Sequence, residues 1–163
     1  MSNRRLDGPT SVFMDANPIG RKTKGQRESA EKLGLALLLN RTTNRTLAFF
    51  RHRVFPAIHL NQIRFFFNDN GQVVGYVIWA NLAHDVEERL RDNPEAYLHT
   101  SEWNEGESLW ILDLIAPAGH FKNIVKELDV NVFRSYTAVS YSRKNRDKVY
   151  YVTVRRAEPV GAV

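Results

Sequence analysis

"QIRFFFNDNGQVVGYVIWA", residues 62–80, decides how the chain is read. Two runs rich in β-branched and aromatic side chains flank Asn70-Gly71, and Asn-Gly between such runs marks a hairpin, because a tight turn needs residues that tolerate positive φ. In the first run Ile63, Phe65 and Phe67 alternate with Arg64 and Phe66, whereas Val73, Val74, Val77, Ile78 and Trp79 occupy both faces of the second. The second strand is therefore expected to be the more central of the two.

Upstream, QRESAEKLGLALLLN (26–40) is rich in helix formers and turns apolar almost all round, as a helix pressed between other elements would. After a short connector, FRHRVFPAIHLN leads into the hairpin. Downstream, NLAHDVEERLRDNPEAYL places Leu82, Val86 and Leu90 on one helical face and breaks at Asp92-Asn93-Pro94. EWNEGES reads as a loop and SLWILDLIAP as a strand. AGHFKNIVKEL reads as a helix with Phe121, Ile124, Val125 and Leu128 at helical spacing. SYTAVSYS and KVYYVTVRR, joined by the basic turn RKNRD, form a second hairpin. The order predicts one α+β domain over residues 25–157 around a mixed, mostly antiparallel sheet, with a mobile basic arm at 1–24 and a tail at 158–163.

At 163 residues the chain has the length of one domain with a sizeable core. It has no cysteine, which excludes disulfides, thiolate metal sites and a thiol nucleophile and agrees with a reducing, cytoplasmic compartment. Its longest apolar runs fall short of the roughly 20 residues of a membrane span, and its first residues lack a hydrophobic signal region, so a soluble protein without a membrane span is expected. Formal charge is +5, unevenly distributed. Residues 1–64 hold 12 Lys/Arg against 4 acids, residues 65–121 hold 2 against 10, and residues 122–163 hold 9 against 4. Basic ends and an acidic middle suit docking onto an acidic partner, or simply a solvated surface.

One residue in the strand SLWILDLIAP conflicts with its surroundings. Asp113 has apolar neighbours on both sides, and a carboxylate moved into such surroundings costs several kcal/mol unless it is paired or neutralised. It is either structural, bonded to a Trp or backbone N–H, or functional, orienting a base or a substrate amine. Where that strand meets the next helix, around Pro117 and Gly119, strand, turn and helix N-terminus form an arrangement suited to phosphate, and equally an ordinary turn. The five histidines match no metal-ligand spacing, so no metal and no bound cofactor are expected. Basic turns interleaved with Tyr136, Tyr141, Tyr150 and Tyr151 leave nucleic acid as a weak alternative partner, without any RNP-like or helix-turn-helix signature.

FPAIHLNQ, the hairpin with GYVIWANL, and EWNEGESLWILDLIAPAG together resemble the RTX-toxin-activating lysine acyltransferases, in the same order and at similar spacing from about Leu33 to Leu128. The resemblance implies a GNAT-like fold. It also implies a reaction in which acyl carrier protein donates an acyl group to the lysine ε-amine of a protein substrate such as an RTX-type protoxin. Acyl carrier protein, that substrate and a second copy in a homodimer are the implied partners. In the family a histidine and an aspartate form the catalytic pair, and the aspartate maps onto Asp113. The histidine's slot falls between Thr42 and Thr46, where there is none, leaving His52 as the nearest ring. Trp79, Asn81, Trp110, Pro117 and Gly119 are the implied acyl-donor or substrate contacts. The family's aromatics after the aspartate and after the proline are here Leu114 and Ala118, which reshapes any acyl pocket. With the histidine missing, a second class stays open: a catalytically inactive protein-binding module on the same fold.

Overall fold

The computed structural model describes residues 23–145 and 148–155, so the expected tail (158–163) and all of the expected arm (1–24) but Thr23 and Lys24, which open the first helix, lie outside the described residues. Helix α1 (Lys24–Thr43) starts at a capping box, Thr23 accepting from the Gln26 N–H while Gln26 Oε1 accepts from Thr23 N–H. It ends at Asn44, which adopts the left-handed conformation at φ 52. The segment 47–59, to which the sequence pattern assigns no element, winds continuously through α2 (Leu47–Phe49), a π-helical turn (Phe50–Val54) and α3 (Phe55–His59). Pro56, which has no N–H to give, falls where the π-helical turn hands over to α3, so the break in the hydrogen-bond pattern coincides with the residue that cannot continue it.

The expected hairpin follows as β1 (Ile63–Phe67) and β2 (Val73–Leu82), with Gly71 at φ 74 in the turn. Helix α4 (His84–Asp92) buries Val86 and Leu90, while Leu82 belongs to the end of β2. Strand β3 (Ser108–Ile115), helix α5 (Phe121–Glu127), a further π-helical turn (Leu128–Val132), β4 (Ala138–Asn145) and β5 (Lys148–Arg155) complete the described residues. The five strands lie in sequence order, antiparallel except for the parallel pair β3–β4. The architecture is a single α+β domain, and β2 is interior while β1 is an edge strand.

Two cores cover the two faces of the sheet. On one, α1, the 47–59 segment and α4 pack Leu39, Phe50, Val54, Ile58, Val86 and Leu90 against Tyr76, Ile78, Ala80 and Trp110. On the other, Ile124, Leu128 and Phe133 pack against Phe66, Val77 and Leu109. Among the described residues, helix α1 is covered on one side only: Ala36 and Leu39 are buried, while Leu37 and Leu38 are more than half exposed. The all-round apolar pattern suggested a helix enclosed on several sides, but the sheet contacts only one of them.

Candidate active site

The register of β2 and β3 settles where Asp113 points. Ile78 pairs with Asp113 and Trp79 with Ile111, so Leu112 has no partner opposite and forms a β-bulge. Strict alternation would send Asp113 to the same face as Ile111. The bulge turns it instead to the face of Leu112 and Ile115, beside Tyr76, while Leu114 joins the opposite core.

There the carboxylate is fully engaged. Tyr76 donates its hydroxyl to Oδ2 at 2.7 Å, and the Arg45 guanidinium meets Oδ1 at 2.5 Å. The side chain of Asp113 is 8% exposed. Burial pushes its carboxyl above the ordinary value, against the opposing pull of Arg45, the Tyr76 hydroxyl, the Leu114 N–H and Arg53. Burial, then the charge of Asp113, raises the Tyr76 phenol in turn. Arg53 is itself buried, donating to the carbonyls of Pro94 and Ala96 at 3.1 and 2.8 Å. Among the described residues, its Nη1 and the Nε of Arg45 have no hydrogen-bond partner.

Arg45 is held in place by local sequence. Asn40 accepts from the Arg45 N–H at 2.6 Å and donates to its carbonyl at 3.1 Å. Thr46 caps α2, accepting from the Phe49 N–H, and the guanidinium lies 4.7 Å from the Phe49 ring centroid. The residue that reaches Asp113 therefore comes from between Thr42 and Thr46, where the family resemblance calls for a histidine. An arginine stays protonated in that slot and accepts no proton.

The remaining candidates scatter over the sheet. His52 stacks on Tyr97 at 4.1 Å, and no hydrogen bond joins it to Asp113. Trp79 packs edge-on to Phe133 on the α5 face, and Trp110 stacks on Tyr151 on the other. Asn81 accepts from the Tyr136 hydroxyl at 2.9 Å and lines a cleft between β3 and β4. Pro117 and Gly119 lie exposed in the turn before α5, the Pro117 carbonyl accepting from the His120 N–H. Arg45 and Tyr76, which engage Asp113 directly, were not candidates from sequence; the only signal for Arg45 was its position in the histidine's slot. Among the described residues no cluster of His, Cys, Asp or Glu could hold a metal ion, and no helix is long and apolar enough to cross a membrane.

Residues 26–156 match the RTX toxin acyltransferase family. The chain belongs to that family. It is similar to lysine-acyltransferase RtxC of Vibrio cholerae, 28% identical over 81 residues, 50% of this chain and 52% of that protein. It is 30% identical over 96 residues to leukotoxin-activating lysine-acyltransferase LtxC of Aggregatibacter actinomycetemcomitans, 56% of each chain. Uncharacterized protein sll0720 of Synechocystis is 37% identical over 89 residues, 53% of this chain and 59% of that protein. The chain thus spans between half and three-fifths of the length of these relatives.

Proposed function

We propose that the chain is a protein-lysine acyltransferase of the RTX toxin-activating kind, GNAT-like in fold, which moves an acyl group from the thioester of acyl carrier protein to a lysine ε-amine. The observation that carries this reading is the buried acid at the β3 bulge, inside the stretch 26–156 that matches the family. Acyl transfer to an amine makes demands that an acid in a dry site can help meet. The ε-ammonium must lose a proton, its nitrogen then attacks the thioester carbon, the C–S bond breaks, and the thiolate leaves and takes up a proton.

In this reading Asp113 is the carboxylate of the site and Arg45 and Tyr76 are its positioning partners. Its raised proton affinity suits a group that receives or relays the lysine proton. His52 is the candidate ring base, and acting as one requires it to leave Tyr97. Trp79, Asn81, Trp110, Pro117 and Gly119 would border donor and acceptor. An RTX-type protoxin is the kind of substrate the family suggests, and the cytoplasm its compartment. Exposed Leu37 and Leu38 offer apolar surface for a homodimer.

One observation favours a second reading, a protein-binding module without chemistry: Arg45 occupies the slot where the base is expected and both carboxylate oxygens are taken. Incubating the chain with acyl carrier protein bearing an isotopically labelled acyl group and a lysine-rich polypeptide separates the two. Label on lysine, dependent on the chain, is expected. No label above that of Asp113→Asn removes the enzyme and leaves the binding module.

A further inference from the structure

Arg45 lies in the link 44–46 between α1 and α2, and a single side chain takes both its N–H and its carbonyl. Asn40 Oδ1 accepts from the Arg45 N–H at 2.6 Å, and Asn40 Nδ2 donates to the Arg45 carbonyl at 3.1 Å. The same Oδ1 accepts from the Thr43 hydroxyl at 3.1 Å, and the Asn40 carbonyl accepts from the Asn44 N–H at 2.9 Å. Helix propensity gives no reason for asparagine at that position, since its side chain competes for nearby backbone groups and makes it a poor helix former. Here that competition fixes the next link of chain. An aspartate could accept but not donate, whereas the side-chain amide carries an acceptor and donors on one planar group.

The Arg45 guanidinium is the part of this arrangement that meets Asp113. Its side chain is 38% exposed, so water competes for it, and a long arginine side chain loses much rotamer freedom when it is fixed. Holding the backbone on both sides of its Cα removes part of that freedom in advance, and the Phe49 ring, 4.7 Å from the guanidinium, limits the rest. The other groups that act on the carboxylate come from elsewhere: Tyr76 from β2, Arg53 from the first π-helical turn and the Leu114 N–H from β3. Among the described residues no hydrogen bond joins Asn40 to any of them. A change at Asn40 therefore reaches Asp113 through Arg45.

We infer that Asn40 is a positioning residue of the active site, acting on Asp113 through Arg45 and setting how readily the acid receives the lysine proton. The inference rests on the lysine-acyltransferase reading and names a residue outside the carboxylate's own contacts on which its rate depends. With Asn40 truncated, Arg45 spends less of its time at Oδ1, the carboxylate loses part of its counter-charge, and its proton affinity rises. A carboxylate that stays protonated to higher pH and is less well aligned receives the proton less effectively. The alternative is that Asn40 only closes the end of α1, in which case its loss costs stability and leaves the acid as it was.

A carboxyl NMR titration of the whole chain separates the two, with the Asp113 signal assigned by its loss in Asp113→Asn. In Asn40→Ala the Asp113 midpoint should lie at least about half a pH unit above that of the wild type, about a threefold change in proton affinity. Asn40→Ser, which keeps a hydroxyl acceptor, should move it the same way by less, and it decides the matter if the alanine variant does not fold. Thr23→Ala is the control: it removes the capping box at the other end of α1, and should lower the urea midpoint without moving the Asp113 titration. With labelled acyl carrier protein, kcat in Asn40→Ala should fall at least about fivefold while KM for the carrier holds, and the acidic limb of the rate profile should move to higher pH. An unmoved Asp113 midpoint in the folded variant, an equal shift in Thr23→Ala, or an active chain whose kcat is unchanged overturns the inference. If the wild type acylates nothing, the acyltransferase reading falls, while the titration still decides whether Asn40 positions the pair.

Discussion

Asp113 is held by the Arg45 guanidinium and the Tyr76 hydroxyl, and each partner can be removed separately. Tyr76→Phe deletes the donor to Oδ2 and leaves a buried carboxylate oxygen unsatisfied, a loss of about 1–3 kcal/mol in urea unfolding. Arg45→Ala should cost a similar amount, about 1–3 kcal/mol, since Arg45 is 38% exposed and water can partly replace it. The pH dependence has a definite direction. Because burial raises the folded carboxyl above its ordinary value, the folded chain holds that proton more tightly than the unfolded chain does. The associated stability is fully present below the ordinary carboxylate value and is lost as pH rises through the folded one. The stability of the wild type relative to Asp113→Asn should therefore fall as pH rises from that ordinary value, and a relative stability that rises instead contradicts the assignment. The sequence exposed Asp113 as an anomaly but not its partner, because Arg45 lies 68 residues away. Nor did it reveal the face, because a bulge at Leu112 leaves no mark on hydrophobic periodicity.

Two glycines fix how the elements meet. A Cβ on Gly75 would lie 2.2 Å from the Ile115 carbonyl oxygen, and one on Gly106 would lie 2.0 Å from that of Leu82. Both neighbours are backbone, so neither can rotate away. Gly106→Ala should cost about 3 kcal/mol, seen as a lowered urea midpoint, because the loop that donates the Gly106 N–H to the Asn81 carbonyl must move. Truncating Trp103, which is fully buried, to alanine should cost about 3–5 kcal/mol by the same measurement. At this scale the strands were legible and one helical segment was not. Asn70-Gly71 and the basic turn announced both hairpins, whereas the run from Leu47 to His59 is interrupted by aromatic and β-branched residues and by Pro56. Those are poor helix formers in isolation, and burial of Phe50, Val54 and Ile58 against the sheet overrides them. The cleft was not legible either, since its lining comes from β2, α4, the loop before β3, and both later strands.

Across the whole molecule the charge is segregated, and α1 alone carries Lys24, Arg27, Lys32 and Arg41. Docking of an acidic carrier protein onto such a surface should weaken with salt. Raising ionic strength from about 0.1 M to about 1 M shortens the screening length from about 10 Å to about 3 Å, so KM for the carrier should rise while kcat holds. A salt-independent KM would mean the basic surface plays no part in donor binding. Family membership and fold place the buried acid on β3, and the proposed chemistry turns on it. The decisive comparison is the initial rate of lysine acylation by the wild type and by Asp113→Asn, both shown to be folded by their unfolding midpoints. A rate at least about tenfold lower in the variant is expected; equal rates would contradict the role given to Asp113.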